Sequence, residues 1–389
     1  MKRFALALVL IAAPGCGGGP KPSAGSSPEE AALTALAVGD FDAAEGHLRG
    51  AKAPSAVHLL AKLHLLRNRP GEALPLLRSL IPTEHKNVSS VLDLQAVVQD
   101  LVSAAIRMDD FATASTWCAR TGDPVLARKY EVLAKAIGYA QDRDWDESSV
   151  DLVSMNPLPL VQGSVNGLRG IFLLDTGLGE ILLDRDYAKR AVVSVIGVQG
   201  GGTLDEGVAS SVTLGRLNVR NVPVQLGRLA SHSIVRIDGA IGLAFLLHFD
   251  FTIDYRRAKL VLRKPGGAAD PPKGSAPALL AGDRHLLVPG KVIVAGKEDK
   301  PLPTFAGVNT ALAGVTIAVS EHFLLSNPGE IREAVAGPFR LARPPVNKNA
   351  YPTGLDGSFG LPVAFVLGHQ AFTSRALRLE PRSMRLSID

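Results

Sequence analysis

One run, LPLVQGSVNGLRGIFLLDTG at residues 158–177, leaves the chain few folds to choose from. Apolar residues alternate on either side of Asn166-Gly167, a pair suited to a two-residue hairpin turn, so the run predicts two antiparallel strands with the second ending at Asp175. More alternating sequence follows in LGRLNVRNVPVQLG and in FDFTIDYRRAKLVL, where Phe249, Phe251, Ile253, Leu260 and Leu262 mark a closing hairpin. Beyond the Gly/Pro-rich KPGGAADPPKGSAPALLAGD the pieces return in the same order. Residues 286–323 offer strand, turn, strand and small-residue loop, LDGSFG at 355–360 parallels IDGAIG at 237–242, and ALRLEPRSMRLSI parallels the closing hairpin. An all-β body of two related lobes is predicted, at 146–265 and 285–389, joined by a linker at 266–284.

The ordered set of apolar-apolar-Asp-Thr-Gly, a GGGTLDEG loop placed like a flap, Asp-Gly-x-Ile-Gly and an FDFTIDY hairpin resembles the retropepsin-like lobe of aspartic proteases. Its return resembles a bilobal, pepsin-like molecule with a degenerate second lobe. The resemblance implies Asp175 as the catalytic aspartate, Thr176 and Gly177 as the loop residues that hold it, and Ile241-Gly242 as the element packed beneath. Such enzymes need two carboxylates sharing one proton, one activating water while the other protonates the scissile carbonyl. The second lobe puts Asn309, Thr310 and Ala311 where Asp175, Thr176 and Gly177 stood, so its loop is kept and its carboxylate is missing. Asp356 parallels Asp238, and both read as turn residues rather than displaced catalysts. Pairing of Asp175 with a second molecule, as in homodimeric relatives, competes with a tethered lobe at high effective concentration.

No other chemistry stands out. The sequence has no H-E-x-x-H, no G-x-S-x-G and no paired cysteines, the glycines at 200–202 lack the Lys-Ser/Thr of a phosphate loop, and His232, His248, His285 and His369 are scattered singly. No metal and no cofactor are expected. The net charge of +5 comes from dispersed Lys and Arg, which gives no nucleic-acid arm.

Ahead of the β body, residues 28–143 read as helical. Ser27, Pro28 and Glu30 form a capping box with Pro at the first helical position, and Asp40-Phe41-x-x-Ala44 is echoed by Asp110-Phe111-x-x-Ala114. The pattern resembles tetratricopeptide-type helical hairpins, serving either as a partner-binding scaffold or as a cap on the next domain, with Pro75 as a kink or break and Cys118 as a buried small hydrophobe. The fold class expected is therefore multidomain: an all-α helical-hairpin repeat domain followed by an all-β bilobal aspartic-protease-like domain.

Residues 1–16 pair a basic start with a short apolar run and end in APGC, which resembles a bacterial lipobox with Cys16 as the lipidated residue, and 17–27 form a Gly/Pro/Ser tether. An exported protein is expected, held to the envelope by lipid alone, with the periplasmic face of the outer membrane favoured. Two functions fit: an aspartic endopeptidase using Asp175, or a catalytically impaired pseudoprotease that binds a peptide or protein ligand in its cleft while the helices hold a partner.

Overall fold

The computed structural model describes residues 26–81, 93–136, 139–141, 145–198, 203–229, 236–266, 274–355 and 361–389. The signal segment with Cys16, tether residues 17–25, loop residues 200–202, His232, linker residues 267–273 and Asp356 lie outside these residues.

Among the described residues seven helices come first: α1 (Pro28–Ala37), α2 (Phe41–Leu48), α3 (Pro54–Leu66), α4 (Pro70–Ser79), α5 (Leu94–Arg107), α6 (Phe111–Arg120) and α7 (Pro124–Lys135). Short side chains start most of them. Ser27 and Glu30 complete the capping box, and Asp40, Asp93, Asp110 and Asp123 each accept a hydrogen bond from the N–H three residues on. The two Asp-Phe-x-x-Ala stretches are used alike, each Asp capping and each Phe and Ala buried. Pro75 does not break α4, which runs through it to Ser79. Ala140 and Gln141, expected as the end of the helical region, instead form strand β1. No helix among the described residues is long and apolar enough to cross a membrane.

The β region follows. Its first half holds β2 (Glu147–Ser154), β3 (Leu160–Val165), β4 (Leu168–Asp175), β5 (Ile181–Asp184), β6 (Ser194–Val198), β7 (Asp205–Leu214), β8 (Leu217–Gly227), β9 (Gly239–Gly242), β10 (Asp250–Asp254) and β11 (Lys259–Arg263). Then come β12 (Ala276–Pro277) and β13 (Leu279–Ala281), both inside the stretch expected to be plain linker. The second half holds β14 (His285–Val294), β15 (Leu302–Val308), β16 (Ile317–Val319), β17 (Ile331–Ala336), β18 (Phe339–Ala342), β19 (Val346–Asn347), β20 (Val363–Leu367), β21 (Ala376–Glu380) and β22 (Arg385–Ile388).

Asn166 and Gly167 have φ of 49° and 80°, the left-handed pair that the β3–β4 turn requires. The two halves share a wiring. β4 pairs in parallel with β9 as β15 does with β20; β5 pairs in parallel with β8 and antiparallel with β9, as β16 does with β19 and β20. The closing hairpins β10–β11 and β21–β22 lie side by side, with β10 bonded to β21, so both halves contribute to one sheet.

One internal match moves. Leu174 pairs with Ile241 and Asp175 with Gly242, while Val308 pairs with Leu367. The counterpart of Ile241-Gly242 is therefore Leu367-Gly368 and not the pair Phe359-Gly360 expected from LDGSFG.

The helices are packed on the β region rather than free. Leu36, Phe41 and Ala44 share a core with Leu287, Phe305 and Val363, and the Phe41 and Phe305 rings stand 6.2 Å apart. Burying one such ring stabilises by roughly 1.5–3 kcal/mol. Polar ties add direction: Arg107 Nε lies 3.0 Å from Asp283 Oδ1, Asn68 donates to the Pro381 carbonyl, and Tyr139 stacks on His248 at 3.8 Å. Cys118 is buried, as expected, and burial pushes its thiol up to about 11, away from the reactive thiolate.

Candidate active site

β4 runs through the core and delivers Asp175 at its end, and β15 delivers Asn309 just past its own. Thr176 and Thr310, both fully buried, bind the two loops reciprocally. Thr176 N donates to Thr310 Oγ1 and Thr310 N donates to Thr176 Oγ1, each at 3.1 Å. Thr176 Oγ1 donates to the Val308 carbonyl at 3.1 Å, and Thr310 Oγ1 to the Leu174 carbonyl at 2.6 Å. Four bonds exchanged in matched pairs define an approximate twofold axis between the loops. The symmetry extends to the acid positions, because Gly177 N donates to Asp175 Oδ1 and Ala311 N to Asn309 Oδ1, both at 2.8 Å.

Beneath each loop sits a glycine with no room for a side chain. A Cβ on Gly242 would fall 2.2 Å from the Gly179 carbonyl oxygen, and one on Gly368 would fall 2.4 Å from that of Val315. The next residues bond upward in parallel fashion, Leu243 N to Leu178 O and His369 N to Leu312 O. Asp238 supports rather than reacts: its carboxylate accepts from Ile171 N at 3.1 Å and pairs with Arg236 and Arg190.

Asp175 is half-buried, and burial pushes its carboxyl up to about 6 against the pull of the Gly177 and Leu178 backbone N–H groups. An acid poised there is ionised at neutral pH and can act as a base. Asn309 has no proton to share. Its Oδ1 is held by Ala311 N–H, which turns the Nδ2 donor toward Gly177.

His369 lies under the second loop, its ring within hydrogen-bond reach of the Thr310 backbone, while His248 and His285 are held by other partners. His248 bonds to the Ala244 carbonyl and to Asp109; His369 is buried and donates from Nε2 to the Met155 carbonyl; burial and Arg284 push His285 down to about 4.

A cluster that local sequence does not signal lies nearby. Lys129 of α7 is wholly buried with its Nζ 2.5 Å from Glu180 Oε2 and from Glu206 Oε2, and Gln225 donates to Glu206 Oε1. Burial acts to lower Lys129, yet the two carboxylates hold it above its ordinary range; burial pushes Glu180 up against the attraction of Lys129. Glu180 follows the Asp175 turn, Glu206 lies on β7 of the hairpin β6–β7, and 51 and 77 residues separate them from Lys129.

No family model matches the chain, and no curated protein does. Among solved structures it is similar to a retropepsin-like aspartic protease from Rickettsia conorii, with 18% identity, 32% of this chain and 94% of that chain covered, and a TM-score of 0.24. A score that low carries no argument, and the paired loops stand on their own geometry.

Proposed function

We propose that the chain carries a peptide-binding groove of aspartic-protease type whose catalysis is impaired. The observation that carries this reading is Asn309, set opposite Asp175 inside a loop pair otherwise bonded as two equals. An amide neither takes up nor releases a proton, so the shared-proton state of a paired dyad has no counterpart here. The loss of a general acid costs roughly 100- to 10,000-fold. A second reading, a slow endopeptidase, draws support from the Asp175 carboxyl at about 6, since a base of that strength activates water near neutral pH. The helical hairpins, read as a tetratricopeptide-like array, brace this groove within the envelope, where we propose that Cys16 carries lipid.

The deciding comparison sets native protein, Asn309→Asp, Asn309→Asp with Ala311→Gly, and Asp175→Asn against one peptide library across pH. Restoring the second carboxylate should create cleavage in the acid range, and Asp175→Asn should remove whatever cleavage the native protein has. Strong native cleavage that survives Asp175→Asn overturns both readings of the site.

A further inference from the structure

The turn that follows Asp175, residues 178–180, is gripped from the helical region in two ways. Lys129 of α7 bonds to Glu180 of the turn and to Glu206 of β7. Ser103 and Arg107 of α5 both bond to Asp283 Oδ1, and Arg107 Nη2 donates to the Gly282 carbonyl. The β13–β14 turn held by α5 then presses on the site: a Cβ on Gly179 would stand 3.6 Å from the Asp283 carbonyl oxygen and 3.8 Å from Arg284 Cβ. The counterpart turn after the second loop is Leu312-Ala313-Gly314, which has no polar side chain to be tied. The polar grip thus falls on the half that keeps its carboxylate.

Docking alone does not call for such a tie. α7 already packs through Tyr130 and Leu133, both buried in the main core, and an ion cluster sealed from water recovers little of its desolvation cost. What a charged, hydrogen-bonded tie adds is direction. From Glu180 the backbone leads back to the acid: the Leu178 and Gly179 carbonyls accept from Leu243 N and Ala244 N, and the Gly177 and Leu178 N–H groups both act on the Asp175 carboxylate. We propose that Lys129 is a positioning residue of the site, holding Glu180 so that the 177–180 turn keeps those two N–H groups on Asp175. The helical region is then a working part of the site and not a separate scaffold. The proposal rests on the reading of Asp175 as the site's carboxylate, and it holds whether the site binds a peptide or cleaves one.

The test cuts the tie at its Glu180 end, which leaves Lys129 paired with Glu206. Glu180→Ala and Glu180→Gln remove the same charge, but only the glutamine keeps a carbonyl for Lys129. Full-length protein is labelled with carbon-13 at the aspartate side-chain carboxyl, and the Asp175 signal is the one that Asp175→Asn lacks. Its titration midpoint should stand at about 6 in the native protein. Losing the two N–H donors disfavours the ionised form, so Glu180→Ala should titrate at least about 0.5 pH unit above Glu180→Gln. A smaller gap, or one of opposite sign, overturns the proposal. Should Glu180→Ala not fold, Glu180→Asp replaces it: the charge stays, the reach shortens, and the midpoint should rise above native by the same amount, failing which the proposal falls. A native midpoint near the ordinary 3.8 would instead overturn the buried carboxyl itself, and the positioning role with it.

Discussion

Gly177 and Asn309 meet across the axis so closely that a Cβ on Gly177 would lie 2.1 Å from Asn309 Nδ2 and 2.7 Å from its Cγ. Because the Asn309 amide is also tied to Ala311 N–H, a methyl at 177 has to move a held side chain. Gly177→Ala should therefore cost about 1–3 kcal/mol in urea denaturation, and Asn309→Gly in the same background should recover most of it. A double-mutant cycle with no coupling would contradict the contact.

Asp175 predicts a pH dependence with a definite sign. Its carboxyl stands at about 6 in the fold against an ordinary value of 3.8, so the folded state holds the proton more tightly than the unfolded chain does. Its contribution to stability is complete below pH 3.8 and is lost as pH rises through about 6. The stability of native protein relative to Asp175→Asn should fall over that window by on the order of 2–3 kcal/mol at most, then level off. A difference that stays flat from pH 4 to pH 7 would argue against burial of this carboxyl.

The threonine bonds should behave as a unit. Thr310→Val removes an acceptor from Thr176 N and a donor from the Leu174 carbonyl, leaving buried polar groups unpaired at about 1–3 kcal/mol each. Thr176→Val should do the same from the other side, and the double variant should lose less than the two single losses combined. Additive losses in equilibrium unfolding would mean that the loops are held independently.

The membrane prediction rests on Cys16 alone. Cys16→Ser should convert a membrane-bound protein to a soluble or precursor form, read by fractionation and by incorporation of labelled fatty acid. Fractionation of that variant as an integral membrane protein would remove the lipid anchor from consideration.

Parts of this molecule that depend on neighbours in sequence could be read directly. Asn166-Gly167 demanded a left-handed turn, Ser27 and Glu30 a helix start, and Asp175-Thr176-Gly177 a tight loop after a buried strand. Lys129 gave no such signal, because its partners are brought together only by the sheet and by helix packing. The second lobe was misaligned for a related reason: LDGSFG copies the letters of IDGAIG, whereas the position under the Asn309 loop is chosen by strand register and by a glycine tight against a carbonyl, which Gly368 supplies. Of the kink or break expected at Pro75 the break does not occur, because a helix that gains its stability from packing its Leu74 and Leu77 into a core tolerates one lost hydrogen bond.

The pairing of β10 with β21 has a consequence for how the protein is made. Phe251 and Ile253 leave the ribosome long before Leu379 and Leu377, the residues they finally face. Until those later residues are translated, one edge of β10 waits without its neighbour, an open template for another nascent chain. Thr310 likewise follows Thr176 at a distance, so neither the sheet nor the loop pair can be finished while the first half alone is out. Asp175 reaches its final setting late in synthesis, which keeps a half-made chain from presenting the finished loop pair.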